Sequence, residues 1–219
     1  MNFFAHYYFH HKPENAWYNA GLLFPDLLRI FTKDQRISEK TEIDPNDVRD
    51  DYKGLVKGIR QHFRADEIFH NWNWFKEKNH ELALQIRESN SGIKRDWFLA
   101  HIFIELAIDH VLVTDNEPLV SQLYIDLKKC DKTEWELFFH KNGLSETENW
   151  LIGFEQFNRH QYIFTYKDTD SVVYALNRIY DRTGIGKFTS GQNQFLVVLL
   201  NNFIPEVKSK IKELRTILE

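Results

Sequence analysis

The stretch Leu55-Val56-Lys57-Gly58-Ile59-Arg60-Gln61-His62-Phe63-Arg64-Ala65-Asp66-Glu67-Ile68-Phe69-His70 decides the fold class. Its apolar residues Leu55, Val56, Ile59, Phe63, Ile68 and Phe69 return every three or four positions, the period of a helix with one buried face. On such a helix His62, Asp66 and His70 stand at i, i+4 and i+8, stacked a turn apart on one side. Asp44-Pro45-Asn46 ahead of them predicts the helix start.

The same period continues outward. Trp74 to Glu88 reads as a helix, stopped by Ser89-Asn90-Ser91-Gly92. Ile93 to Thr114 is almost wholly apolar (Trp97, Phe98, Leu99, Ile102, Phe103, Ile104, Leu106, Ile108) and predicts a central, buried helix. Pro118 opens another helix, to about Lys129, and further helices are expected at Thr133 to His140, Thr147 to Tyr162, Asp170 to Arg182 and Ser190 to Leu218. Pro205 is expected to kink or split the last. Gly184-Ile185-Gly186-Lys187 lacks the upstream glycine of a phosphate loop and has Phe188 where that loop carries Ser or Thr, so it reads as an interhelical turn. Thr32 to Asp51 is polar and reads as a surface loop. With no repeat and no Pro/Ser-rich linker, the expectation is one all-α, multi-helix bundle domain over residues 1–219.

Composition narrows the function classes. Of 219 residues 42% are hydrophobic and 15% aromatic, enough for one thickly packed core. The formal charge is −4 and the basic residues are scattered, which argues against a broad nucleic-acid footprint. The single cysteine, Cys130, excludes an internal disulfide or a Cys-rich zinc site and fits a reduced, cytoplasmic setting. The opening residues do not read as a signal peptide. The longest apolar run considered, Phe195 to Leu200, falls far short of the ~20 residues of a bilayer span.

A second polar series interrupts the central helix, with His101, Glu105 and Asp109 again at four-residue spacing. Burying a carboxylate without a partner is costly, so each needs a cation, a donor or water. Imidazole and carboxylate ligands on two helices suit one or two Zn, Mn or Fe ions, and paired helices are how bundles build such sites. His62, Asp66, His70, His101 and Glu105 are the candidate ligands; Asp109 is either a ligand or the group that orients a ligand histidine. His110 points about 100° away and is not expected to bind. The same residues also fit a satisfied polar network with Arg64 and Arg95 and no ion. Near the N-terminus, His6 taken alone reads as a core or capping histidine and Asp26 as a helix cap after Pro25. His10 and His11, beside Lys12, read as solvent-facing.

Three segments in order, Met1-Asn2-Phe3-Phe4-Ala5-His6, Gly21-Leu22-Leu23-Phe24-Pro25-Asp26 and Gly58-Ile59-Arg60-Gln61-His62-Phe63-Arg64-Ala65-Asp66, resemble the acyl carrier protein phosphodiesterase family. That family has Asn-Phe-Leu-Ala-His, Gly-Asn-Leu-x-x-Asp and Gly-Ile-x-x-His-Arg-x-Ile-Asp in the same order. The resemblance implies an all-helical, distantly HD-like fold and Mn-type hydrolysis that releases phosphopantetheine from carrier protein. It carries His6, Asp26, His62 and Asp66 into the site. The chain departs from the family where Phe69-His70 replaces Thr-Asp, and where His101-x-x-x-Glu105-Leu106 replaces Asp-x-x-x-Asp-His. The altered ligand set suggests a sister group, and nothing from Pro118 onward shows the resemblance.

The expectation is a metal-dependent phosphoesterase. Its divalent ions would bind phosphoryl oxygens and acidify a water, with Asp26 or His6 completing the coordination or moving a proton, and Arg64 pairing with phosphate. The alternative is a helical binding module with a structural metal or buried polar network, in which Trp72, Trp74, Trp97, Trp135 or Trp150 meets a partner. An oxidative di-iron bundle is disfavoured because the paired Glu-x-x-His segments are missing.

Overall fold

Helix starts follow local side-chain chemistry. Asn15 accepts the Tyr18 N–H at the head of α2 (Ala16–Phe31), Asp131 the Glu134 N–H at α7 (Lys132–Lys141), and Asp168 the Ser171 N–H at α9 (Thr169–Asp181). Thr189 and Gln192 close a reciprocal capping box on α10 (Ser190–Leu218). The remaining helices are α1 (Phe3–His10), α3 (Asp50–Asn71), α4 (Asn73–Glu88), α5 (Asp96–Asp115), α6 (Glu117–Lys128) and α8 (Thr147–His160), with a 3₁₀ turn at Tyr162–Lys167. The computed structural model describes residues 1–32, 35–38, 49–89 and 91–219, and no strand occurs among them. The expected helix start at Asp44-Pro45-Asn46 and most of the Thr32–Asp51 loop lie outside the described residues.

The chain is all helical, and its contacts divide into two compact units. The first comprises Met1, Phe3–Asp66 and Glu117–Tyr162; the second comprises Asn2, Glu67–Asn116 and Ile163–Glu219. α3 passes from one to the other between Asp66 and Glu67.

In the first unit α2 packs on α1, α6 and α8. Its core is aromatic: Phe24 lies 4.7 Å from Trp150, which lies 4.9 Å from Trp135. Gly153 leaves room for Phe31, whose ring carbon Cγ would stand 2.3 Å from a Cβ there. Against α3 the approach is closer still. A Cβ on Gly21 would meet Leu55 O at 2.3 Å, and one on Gly58 would meet Tyr18 O at 2.1 Å, so the two backbones touch where both helices lack side chains. At the turn after α6, Cys130 is buried with its Sγ 3.8 Å from Asp126 O, and burial pushes its thiol pKa up.

The second unit is built around α5, which packs against α4, α9 and α10. It is apolar nearly all round because it is enclosed. By length and composition Asp96–Asp115 also qualifies as a candidate membrane span, a longer apolar segment than Phe195–Leu200, and it is mostly buried inside the protein. Trp74 stacks on Phe203 at 6.0 Å and donates its indole N–H to Glu206, while Trp72 donates to Glu213.

Two prolines depart from expectation. α10 runs unbroken through Pro205, with Leu200, Phe203 and Val207 buried on either side of it. Pro25 likewise lies inside α2 among buried Leu22, Leu23, Phe24, Leu27 and Leu28, so Asp26 is a mid-helix residue and not a cap. In both helices the burial of neighbouring side chains outweighs the hydrogen bond that a proline removes. Gly184 and Gly186 take positive φ of 78° and 104° between α9 and α10, which matches the interhelical turn read from the sequence.

Candidate functional site

The candidate residues gather into two groups, one in each unit. His6, His62 and Asp66 form the first, and His70, His101 and Glu105 the second.

The glycine contact between α2 and α3 sets the first group. One turn beyond Gly58, His62 is buried and its Nδ1 donates to Leu22 O at 2.8 Å. A carbonyl only accepts, so this bond places a proton on Nδ1, and in the neutral ring Nε2 carries the lone pair. That Nε2 lies 3.6 Å from Asp66 Oδ2 and 3.9 Å from Asp26 Oδ1. Asp26, one turn beyond Leu22 on α2, stands at the edge of this group.

His6 sits on the other side of Asp66. Its ring stacks on that of His62 with centroids 4.0 Å apart, and its Nε2 lies 3.1 Å from Asp66 Oδ1 and 3.1 Å from Met1 O. Nδ1 is buried with no hydrogen-bond partner. Burial, reinforced by the neighbouring His62, lowers the His6 pKa to about 3, so the ring is neutral near neutral pH. With Met1 O as acceptor the proton sits on Nε2, and His6 donates toward Asp66. Asp66 Oδ1 also accepts from the Met1 α-amino group at 2.6 Å. Burial alone would raise the Asp66 pKa; the adjacent α-ammonium overrides it and holds the carboxyl well below the usual range.

The donor set fits a divalent ion through His62 Nε2 and Asp66 Oδ2, with Asp26 Oδ1 3.9 Å from that nitrogen. A ligand histidine ordinarily donates its other nitrogen to a carbonyl or carboxylate, as His62 does to Leu22. His6 fits less well, because coordination through Nε2 would move its proton to an Nδ1 without an acceptor.

In the second group both imidazoles face one oxygen: His70 Nε2 and His101 Nε2 each lie 3.2 Å from Glu105 Oε1. Burial alone would raise the Glu105 pKa, but nearby positive charge, and after it the hydrogen bonds from His101 and His70, hold the carboxyl well below its usual range.

The other predicted residues fall outside both groups. Asp109 is fully buried and its Oδ2 accepts from Asn2 at 2.8 Å. His110, as expected, is turned elsewhere, with Nδ1 donating to Tyr166 O at 2.7 Å. Arg64 and Arg95 are both exposed rather than part of a buried network. His10 is half-buried, not solvent-facing: its Nδ1 faces the Gln61 amide at 3.2 Å, and burial, with the Arg64 charge, lowers its pKa to about 4. His11 is half-buried too, its Nδ1 donating to Tyr7 O at 3.2 Å. Of the five tryptophans considered for a partner surface, Trp72, Trp74, Trp135 and Trp150 are buried and Trp97 is 53% exposed.

Leu22 O, the Asn2 amide beside Asp109, Gln61 beside His10 and the Met1 α-amino group beside Asp66 are the partners that sequence reasoning missed. The first two act through a backbone oxygen or a distant pairing that no spacing signals; the Gly21 and Gly58 pair was the available clue to the first. Comparison of the chain with protein families, with curated proteins and with solved structures finds no match.

Proposed function

We propose that the protein is a metal-dependent phosphoester hydrolase whose ion is held by His62 and Asp66, with Asp26 beside them. The observation that carries this reading is the Nδ1 bond from His62 to Leu22 O, which turns Nε2 toward two carboxylates. A bound divalent ion supplies Lewis acidity toward a phosphoryl oxygen and acidifies water. The chain's own residues do the rest. Asp26 is 23% exposed, open enough to meet substrate, and serves as proton acceptor. His6, donating to Asp66, orients that carboxylate. Exposed Arg64 steers the anionic substrate. The substrate class suggested by the N-terminal motifs is a phosphodiester such as the phosphopantetheine arm of acyl carrier protein.

Untagged protein loaded in turn with Mn, Zn and Fe is to be assayed on bis(p-nitrophenyl) phosphate, p-nitrophenyl phosphate and holo-carrier protein. Turnover that falls at least about 100-fold in both His62→Ala and Asp26→Asn supports the reading. Absence of turnover with every metal overturns it.

One observation favours a second reading, a helical binding module with a closed polar network. The Met1 α-amino group and His6 already satisfy Asp66 Oδ1. On that reading His62→Ala binds as much metal as the parent protein.

A further inference from the structure

We propose that His70, His101 and Glu105 form a site for a zinc-class divalent cation, with one coordination position left to solvent. This inference does not rest on the hydrolase reading. It starts from spacing. Nitrogen and oxygen atoms ~2.1 Å from a tetrahedral zinc lie ~3.4 Å from one another. His70 Nε2 and His101 Nε2 each stand 3.2 Å from Glu105 Oε1, already close to that edge length. As hydrogen bonds these contacts are at the long end of the usual range.

The elements hold the three donors without an ion. His101 and Glu105 are one turn apart on α5, so the helix fixes their separation. His70 comes from the end of α3, and its ring lies 4.8 Å from that of His101. Phe75, buried on α4, forms an apolar wall behind both rings, 5.1 Å from His101 and 5.4 Å from His70. An imidazole wedged against an aromatic ring keeps its orientation, which lowers the ordering cost of binding.

The ligand set selects the ion class. Two imidazoles and one carboxylate suit zinc or cobalt and discriminate against magnesium and calcium, which take oxygen ligands. Three protein ligands leave a fourth tetrahedral position. The carboxylate is only 11% exposed, while His70 and His101 are 35% and 30% exposed, so that position opens to water or to a small anion.

The test uses full-length untagged protein and the metals alone. Cobalt titration is followed by the visible bands of tetrahedral Co(II), and zinc is counted by elemental analysis after gel filtration. His101→Ala and Glu105→Gln are each expected to lose one zinc per chain and the cobalt bands, while His62→Ala keeps the bands. A tenfold excess of magnesium is expected to displace neither. Because the two imidazoles are partly exposed, His101→Ala keeps its fold; should it not, His70→Ala gives the same reading. Zinc content and cobalt bands unchanged by His70→Ala, His101→Ala and Glu105→Gln overturn the site, as does a parent protein that takes up no cobalt. Loss of phosphoesterase activity in His62→Ala with the bands intact separates the two readings, since each then fails or stands alone.

Discussion

The two His/His/carboxylate groups use the same chemistry in opposite surroundings. In the first, Asp66 spreads its contacts over both oxygens, His62 and His6 are buried, and Oδ1 already pairs with an ammonium. In the second, one oxygen of Glu105 serves two half-exposed imidazoles. The difference teaches that residue type and helical spacing do not define a site; the groups behind the ligands do. His62 is held by a backbone carbonyl brought in by two glycines, whereas His101 is held by its own helix and a phenylalanine.

The contrast can be broken most forcefully at the glycines. Gly58→Ala places a methyl 2.1 Å from Tyr18 O, backbone against backbone. It is expected to cost about 3 kcal/mol in urea unfolding and to move Leu22 O away from His62. A loss below about 1 kcal/mol would show that α2 and α3 separate easily.

Next come the histidines themselves. His62→Ala removes a buried ring together with its bond to Leu22 O and is expected to cost about 2 kcal/mol. His101→Ala, at a partly exposed ring, is expected to cost less than about 1 kcal/mol. Equal losses in denaturant titrations would erase the distinction between the buried and the open group.

A pH measurement sharpens the account of burial in the first unit. The folded pKa of His10 is lowered to about 4, below the unfolded value of 6.5. The unfolded chain therefore binds more protons between these values, and His10 contributes stability that is complete above 6.5 and is lost as pH falls through about 4. The ring protons of His10, followed by NMR, are expected to titrate near 4. A midpoint near 6.5 would mean that the ring is hydrated.

The smallest effect is expected at Arg64. Arg64→Ala, at an exposed position, is expected to change stability by no more than about 0.5 kcal/mol. It should move the His10 midpoint upward, because the guanidinium charge adds to burial in lowering it. An unmoved midpoint would assign the whole shift to burial.

Much of the fold was legible because helical periodicity is local. α4 begins at Asn73 where Trp74 was read, and α10 has the boundaries expected for it. The two prolines misled, since a rule about single backbone bonds does not weigh the apolar side chains before and after them. The division into two units has no Pro/Ser-rich linker to mark it, since one crossing lies within α3. Among the candidate ligands, four-residue spacing correctly paired His62 with Asp66 and His101 with Glu105. It could not show that His70 sides with Glu105, nor that Asp109 is met by Asn2, 107 positions away in the chain. Such pairings belong to tertiary packing, and periodicity is blind to them.

The buried thiol of Cys130 has a use unconnected with any ligand. It is the chain's only cysteine, and burial raises its pKa, so in the closed protein a thiol reagent meets neither an accessible sulfur nor a thiolate. Each label that attaches therefore records one opening of the corner between α6 and α7. Its rate under native conditions is a molecular stopwatch for breathing in the first unit, readable by mass without any engineered probe.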